Sequence, residues 1–426
     1  MSSRMRWTAR VGVAALAVGL AAPAAWAAST WSPVPGADKN TGIASTQYSW
    51  NYGSSFAKRS GGGLALAYTS DKGTASSDQS TYVRLGTVAG DNTVTWAKPK
   101  LTSPKSMVAD RTSLAAGSSN SVHAVYVKQN SYANYDVTKP RVAYVRSLVG
   151  GTWQAPVQLS PSKGRVDYPI AAASGANVYI AYTNSNTGAV IMRRSTNSGA
   201  SYGGNISLGT TTRDDGEGLA AWPITCASGT NVAAVWMDGT GDAKLSVSEN
   251  SGTSFTTTTI NADNVGGNDE GWASCDAVGT RIGVTFNEDD GVHYAEYNTS
   301  SDTFTTALKN AFPFSGSGFA ASYSGTVALT GAGTVGLAMP LCVQNGCDYE
   351  ANTTRISLRW LESSNNGGAF AAVESISNAS SALSGGKTLN DSPSALFYDA
   401  DTRFVLYNGW TANYGNYRLY LAHGES

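Results

Sequence analysis

Short apolar runs alternate with stretches of Ser, Thr, Asn and Gly along almost the whole chain. One run recurs in recognisable form. Val122 to Tyr126, Val178 to Tyr182, Val232 to Trp236 and Ile282 to Phe286 are its clearest copies. Leu64 to Tyr68, Val335 to Met339 and Phe404 to Asn408 are looser ones. A strand returning roughly every 50 to 70 residues marks one supersecondary unit used repeatedly. The third copy predicts four strands: Tyr168 to Ser174, Val178 to Tyr182, Ala189 to Arg194 and Tyr202 to Leu208. The fourth repeats the plan from Trp222 to Ile260. A lone four-stranded antiparallel unit leaves a face unburied, so the units must stack. Radial stacking gives an all-β, seven-bladed β-propeller, the six-bladed wheel being the alternative.

The termini predict how the ring closes. The last repeat ends after its third strand, at Tyr417 to Ala422. Thr30 to Pro35 (TWSPVP) reads like Thr152 to Val157 (TWQAPV), a fourth strand of the second repeat. An N-terminal strand would therefore complete the seventh blade. Ahead of it, Arg4, Arg6 and Arg10 precede an apolar stretch from Val11 to Leu20 and the small-residue site Ala25-Trp26-Ala27. That pattern predicts a signal peptide over 1–28, a single propeller domain over 29–426, and a secreted protein.

Composition narrows the function. A net charge of −1 gives no pull towards nucleic acid, and beyond the leader no apolar run is long enough to span a bilayer. Four cysteines in a secreted chain predict two disulfides. Cys342 and Cys347 could close a small ring, and Cys226 and Cys275 hold nearly equivalent places in consecutive repeats. The three histidines, His123, His293 and His423, fall inside predicted strands and read as structural. No phosphate-binding loop or nucleophile elbow appears.

The turns between third and fourth strands carry the most specific signal. Ser195 to Tyr202, Ser248 to Phe255 and Ser363 to Phe370 all fit S-x-N-x-G-x-x-aromatic. Asn and Gly tolerate the left-handed backbone such a turn needs. The motif resembles the Asp-box of sialidases and related propellers, with Asn in the Asp position. Ser147 to Trp153 and Asn298 to Phe304 look like worn copies. The resemblance implies a propeller whose boxes lie opposite the active face, and a glycan-active enzyme of sialidase type. Seven repeats and the lack of an Arg-Ile-Pro motif depart from that family. Asp110 to Leu114 (DRTSL) is the nearest echo.

In this topology the blade-linking loops and the second-to-third-strand loops converge on one face. Arg213-Asp214-Asp215-Gly216-Glu217 leads into blade 4, and Asn268-Asp269-Glu270-Gly271-Trp272 into blade 5. Asp238, Asp242, Glu288, Asp289 and Asp290 add to this acidic side. Lys105, Asp110, Arg111, Lys128, Lys163, Arg165 and Asp167 make a basic one. Two carboxylates can divide acid and base roles, which singles out Glu217, Asp269 and Glu270. Arg111, Arg165 and Arg213 could grip an acidic sugar in bidentate fashion. Trp222, Trp272 and Trp410 offer flat faces to sugar rings. The expected partner is an extracellular glycan bound by a monomer, with no cofactor. Hydrolysis leads; a non-catalytic binding propeller and a lyase, with Tyr132, Tyr135 or Tyr168 as base, stand beside it. Hard oxygen ligands at Asp214, Asp215, Asp238 and Asp269 leave room for structural calcium.

Overall fold

The computed structural model describes residues 30–33, 48–50, 55–71, 79–104, 108–129, 140–211, 223–261, 273–288, 290–314, 325–342, 356–371, 373–376, 390–410 and 417–425. Every regular element among them is a β-strand, and the strands form seven separate antiparallel sheets. The protein is a seven-bladed β-propeller, which sets the six-bladed alternative aside. Blade 3 runs through Val166–Ser174, Asn177–Asn184, Ala189–Ser195 and Ile206–Thr210. Blade 4 follows with Ile224–Ser228, Asn231–Met237, Ala243–Ser248 and Thr256–Asn261.

The fourth strand of blade 3 starts later than the apolar pattern predicts, at Ile206 instead of Tyr202. The turn consumes the difference. The Asn197 side-chain oxygen accepts from the backbone N–H of Ser201 at 3.0 Å, and Gly203 N–H donates to Arg194 O at 2.8 Å. The same local bonds rebuild the turns at Ser248 and Ser363. Ser147 to Trp153 is instead a tight two-residue hairpin. Gly150 and Gly151 carry its positive φ values of 55° and 78°, and Val149 pairs with Thr152.

The ring closes as the termini predict. Thr30–Pro33 pairs antiparallel with the third strand of blade 7, from Thr30 opposite Glu425 to Pro33 opposite Ala422. Innermost strands of neighbouring blades stand side by side, and small residues let them approach. Ala65 and Ala67 of blade 1 pack on Leu114, Val122 and Ala124 of blade 2. Hydroxyls then join the strands across the seams. Ser113 Oγ accepts from Ala171 N–H at 3.1 Å, and Ser274 Oγ from Val327 N–H at 3.2 Å. A disulfide joins Cys226 to Cys275, tying blades 4 and 5 across a sequence separation of 49. Cys342 is also disulfide-bonded; Cys347, its expected partner, lies outside the described residues. Constraining a loop of that length lowers the entropy of the unfolded chain. Cys226→Ser with Cys275→Ser is therefore expected to lower unfolding free energy by about 2–4 kcal/mol, read by urea titration.

The S-x-N-x-G turns also rivet each blade to the one before. A methyl at Gly199 would lie 2.4 Å from Ser147 Oγ and 3.0 Å from His123 Nδ1. At Gly252 it would meet the Tyr179 ring at 2.9 Å, and at Gly367 the Tyr294 ring at 2.1 Å. With φ of 74–78° as well, these positions need glycine on two counts.

His123 is fully buried in its rivet, between Ser147 Oγ at 2.9 Å and Ser121 Oγ at 3.2 Å. Burial pushes its pKa from 6.5 down to about 4. A depressed histidine pKa means that the unfolded chain takes up the proton first. Its contribution is complete above pH 6.5 and is lost as pH falls towards 4, by at most roughly 3 kcal/mol. His123→Gln should flatten the pH dependence of unfolding across that window.

Candidate active face

Two residues stand out on backbone geometry alone. Among the described residues, nine non-glycine residues have positive φ, and seven of them are Ser, Asn or Asp in hairpin turns. The other two are bulky: Arg111 at 55° and Tyr168 at 43°. Each sits in a β-bulge near the start of an innermost strand. In blade 2 the register shifts between Asp110 and Ser113, so Arg111 and Thr112 together face one residue of the next strand. In blade 3 the same shift falls between Asp167 and Ile170. Left-handed backbone at such side chains costs on the order of 1–3 kcal/mol each and gathers at functional sites. Bulges likewise re-aim side chains beside active sites.

The two bulges aim their side chains at each other. The Arg111 guanidinium lies 4.0 Å from the centre of the Tyr168 ring, and both residues are buried. Arg165 precedes the same strand, is buried, and bridges Arg141 across the blade 2–3 seam. Arg141 N–H donates to Gly164 O at 3.0 Å, and Ser185 N–H to Arg165 O at 2.9 Å. Three buried arginines thus stand on the backbone at the end of the wheel where the blade-linking loops enter. The S-x-N-x-G turns lie at the other end.

Of the sequence-predicted residues, Arg111 and Arg165 come together here. Glu217, Asp269, Glu270, Arg213, Trp222 and Trp272 lie outside the described residues, as do Asp214, Asp215, Lys105, Tyr132 and Tyr135. Trp410 ends the strand Thr402–Trp410 opposite Tyr417. Its side chain, like those of Asp110, Asp167, Glu288 and Asp289, is outside the description. Lys163 is exposed and Lys128 half-buried. Arg141 was not singled out by sequence; its signal is a charged residue opening a strand directly after a converging loop.

The acidic side is partly committed to its own turns. Asp238 accepts from Thr240 Oγ1 at 2.6 Å and from Asp242 N–H at 3.1 Å, and Lys244 Nζ lies 3.0 Å from both Asp238 and Asp242. Burial works against ionisation there, but the bonds from Thr240 and Lys244 outweigh it and hold Asp238 at about 2. Lys244 thus supplies the positive charge beside both carboxylates. His123, His293 and His423 all fall in strands, as expected. His293 differs in reaching the rim, where its Nε2 lies 2.7 Å from Asp290 Oδ1 and its ring stacks on Phe286.

No protein-family model and no curated protein matches the sequence. Solved structures do. One is a protein of unknown function from Dyadobacter fermentans DSM 18053, 14% identical, TM-score 0.50, with 89% of this chain and 96% of that chain covered. A Trypanosoma rangeli sialidase in complex with the inhibitor DANA is 10% identical, TM-score 0.47, with 92% and 57% covered. A NanB sialidase from Streptococcus pneumoniae is 10% identical, TM-score 0.47, with 70% and 65% covered. The fold is a seven-bladed β-propeller. At these identities the likeness is one of fold alone, and the chain spans less than two thirds of either sialidase.

Proposed function

We propose that the protein is a secreted glycoside hydrolase acting on an acidic glycan, bound as a monomer at the arginine-bearing face. The observation that supports this most is the Arg111–Tyr168 pair, two strained bulky residues from adjacent blades packed at 4.0 Å. The ring holds one face of the guanidinium, and the planar fork of an arginine suits a bidentate bond to a sugar carboxylate. Arg141 and Arg165 raise the positive potential around that position. Glu217, Asp269 and Glu270, in the sequence leading into blades 4 and 5, would supply the carboxylates. One would protonate the glycosidic oxygen, and another would serve as base or nucleophile. Arg213 would add to the carboxylate grip, with Trp222, Trp272 and Trp410 as platforms for sugar rings.

The same pair gives an elimination reading some weight. A lyase needs a base beside a group that neutralises the uronate carboxylate, and Tyr168 lies against Arg111. Incubation with sialylated glycans and with uronate polysaccharides separates the readings. Release of free acid or reducing ends without ultraviolet-absorbing product supports hydrolysis. Unsaturated uronate means elimination, and saturable binding without product means a non-catalytic propeller. Absence of binding to any acidic glycan overturns the proposal.

A further inference from the structure

Among the described residues, the neighbouring seam between blades 1 and 2 holds buried oxygen atoms without a hydrogen-bond partner. Ser55 and Thr69 are 0% exposed and Gln79 is 2% exposed. Ser55 Oγ, Thr69 Oγ1 and Gln79 Oε1 have no hydrogen-bond partner. Buried polar atoms are rarely left unmade, and each such atom calls for an explanation.

The strands bring the three onto one face. In the second strand of blade 1, Ala65 and Ala67 pack on blade 2, whereas Leu64, Leu66 and Tyr68 pack with Phe404 and Leu406 of blade 7. Alternation then turns Thr69 towards blade 2. In the third strand, Val83 packs with the blade 2 group and Tyr82 with the blade 7 group, so Gln79 turns the same way. Ala57 also packs towards blade 2, and Ser55 lies two residues before it. Ser55 O accepts from Ala67 N–H at 2.8 Å, and Thr69 and Gln79 lie on paired strands two register steps apart. They are diagonal neighbours near the end where the arginines gather.

Register also relates this seam to the arginine site. Tyr82 pairs and stacks with Tyr68 in blade 1, as Tyr144 does with Tyr126 in blade 2. Gln79 stands three residues before Tyr82, and Arg141 three before Tyr144. A neutral amide in blade 1 thus holds the place of a guanidinium in blade 2. The blade 2 bulge divides the two seams. Arg111 leans on blade 3, and its neighbour Thr112 donates to Val125 O at 3.0 Å.

We propose that the upper seam between blades 1 and 2 is a second sugar subsite, which parts to take the hydroxyls of a neutral unit joined to the acidic one. This rests on the acidic-glycan reading. Gln79 Oε1 accepts, the two hydroxyls both donate and accept, and none of the three carries charge, which matches a neutral unit bearing several hydroxyls. The substrate is then an oligosaccharide and not a lone acidic sugar.

The test compares free N-acetylneuraminic acid with sialyllactose, and glucuronic acid with a tetrasaccharide of alternating glucuronate and N-acetylglucosamine, by titration calorimetry. The wild type should bind one oligosaccharide more tightly than its free acid. Thr69→Val should weaken that oligosaccharide about tenfold, the scale of one lost hydrogen bond, without altering the free acid. Gln79→Met should act in the same direction. Thr69→Val should also leave thermal unfolding unchanged or raise it, because an unpaired buried hydroxyl contributes nothing to the free protein. Equal affinity for oligosaccharide and free acid, equal loss on both, or a lowered unfolding temperature in Thr69→Val would each overturn the subsite alone. If the wild type binds no acid, free or linked, the acidic-glycan reading falls and the subsite with it.

Discussion

Arg111→Ala is expected to lower kcat/KM on the acidic substrate by about a hundred- to a thousandfold, the scale of truncating one partner of a buried, hydrogen-bonded charge pair. Arg111→Lys keeps the charge but loses the planar fork and the stack on Tyr168, so it should recover little. Tyr168→Phe keeps the ring and should retain affinity, whereas Tyr168→Leu should not. If Tyr168 is a catalytic base, Tyr168→Phe abolishes turnover while binding survives, which separates elimination from hydrolysis. Arg111→Gly supplies the control for strain. At φ 55° glycine is relaxed and alanine is not, so Arg111→Gly should be about 1 kcal/mol more stable than Arg111→Ala and equally inactive. A variant at Arg111 with undiminished activity would remove this residue from the site.

What the sequence made legible was local chemistry repeated. Period-two apolar runs and Asn/Gly turns specify strands and hairpins without long-range information, so seven blades and the closing strand could be read from spacing, whereas the Cys226–Cys275 pairing was one of several the sequence allowed. Arg111 and Arg165 were legible as charges beside converging loops. Arg141 was not, because one charged residue opening a strand looks like any exposed strand end. The bulges were hidden for a different reason. An inserted residue breaks the alternation by a single step, and Asp110-Arg111-Thr112 and Asp167-Tyr168-Pro169 read equally well as the end of a loop. Nor could the glycines of the S-x-N-x-G turns reveal their second role, since His123, Tyr179 and Tyr294 belong to preceding blades. His293 was set aside as a strand residue; its bond to Asp290 becomes visible only once the loop is folded against the strand.

The largest stability effect is expected at the closure. Trp31 sits on the closing strand opposite Gly424, and a methyl there would meet the indole at 2.9 Å. Its Nε1–H donates to Glu374 Oε2 at 2.9 Å, and its ring lies 5.4 Å from that of Trp360. The Arg403 guanidinium lies 5.9 Å from the Trp31 ring and 5.7 Å from the Trp360 ring, and forms an ion pair with Glu362. Trp360 Nε1–H donates to Glu362 as well, at 3.0 Å. A strand of four residues thus joins blade 7 to blade 6 through one aromatic–cation cluster. Trp31→Ala should cost about 3 kcal/mol, the low end for truncating a large aromatic, because the ring is only partly buried. Deleting residues 30–33 should cost more. It would leave Tyr417–Glu425 as an unpaired edge, open to pairing with another chain. Size-exclusion chromatography should then show dimers or aggregates alongside a lowered unfolding temperature. Gly424→Val, which drives the indole off its seat without shortening the chain, should reproduce the loss of stability. A truncated protein that stayed monomeric and unfolded at the wild-type temperature would mean that the wheel is held by its blade seams and not by its closing strand.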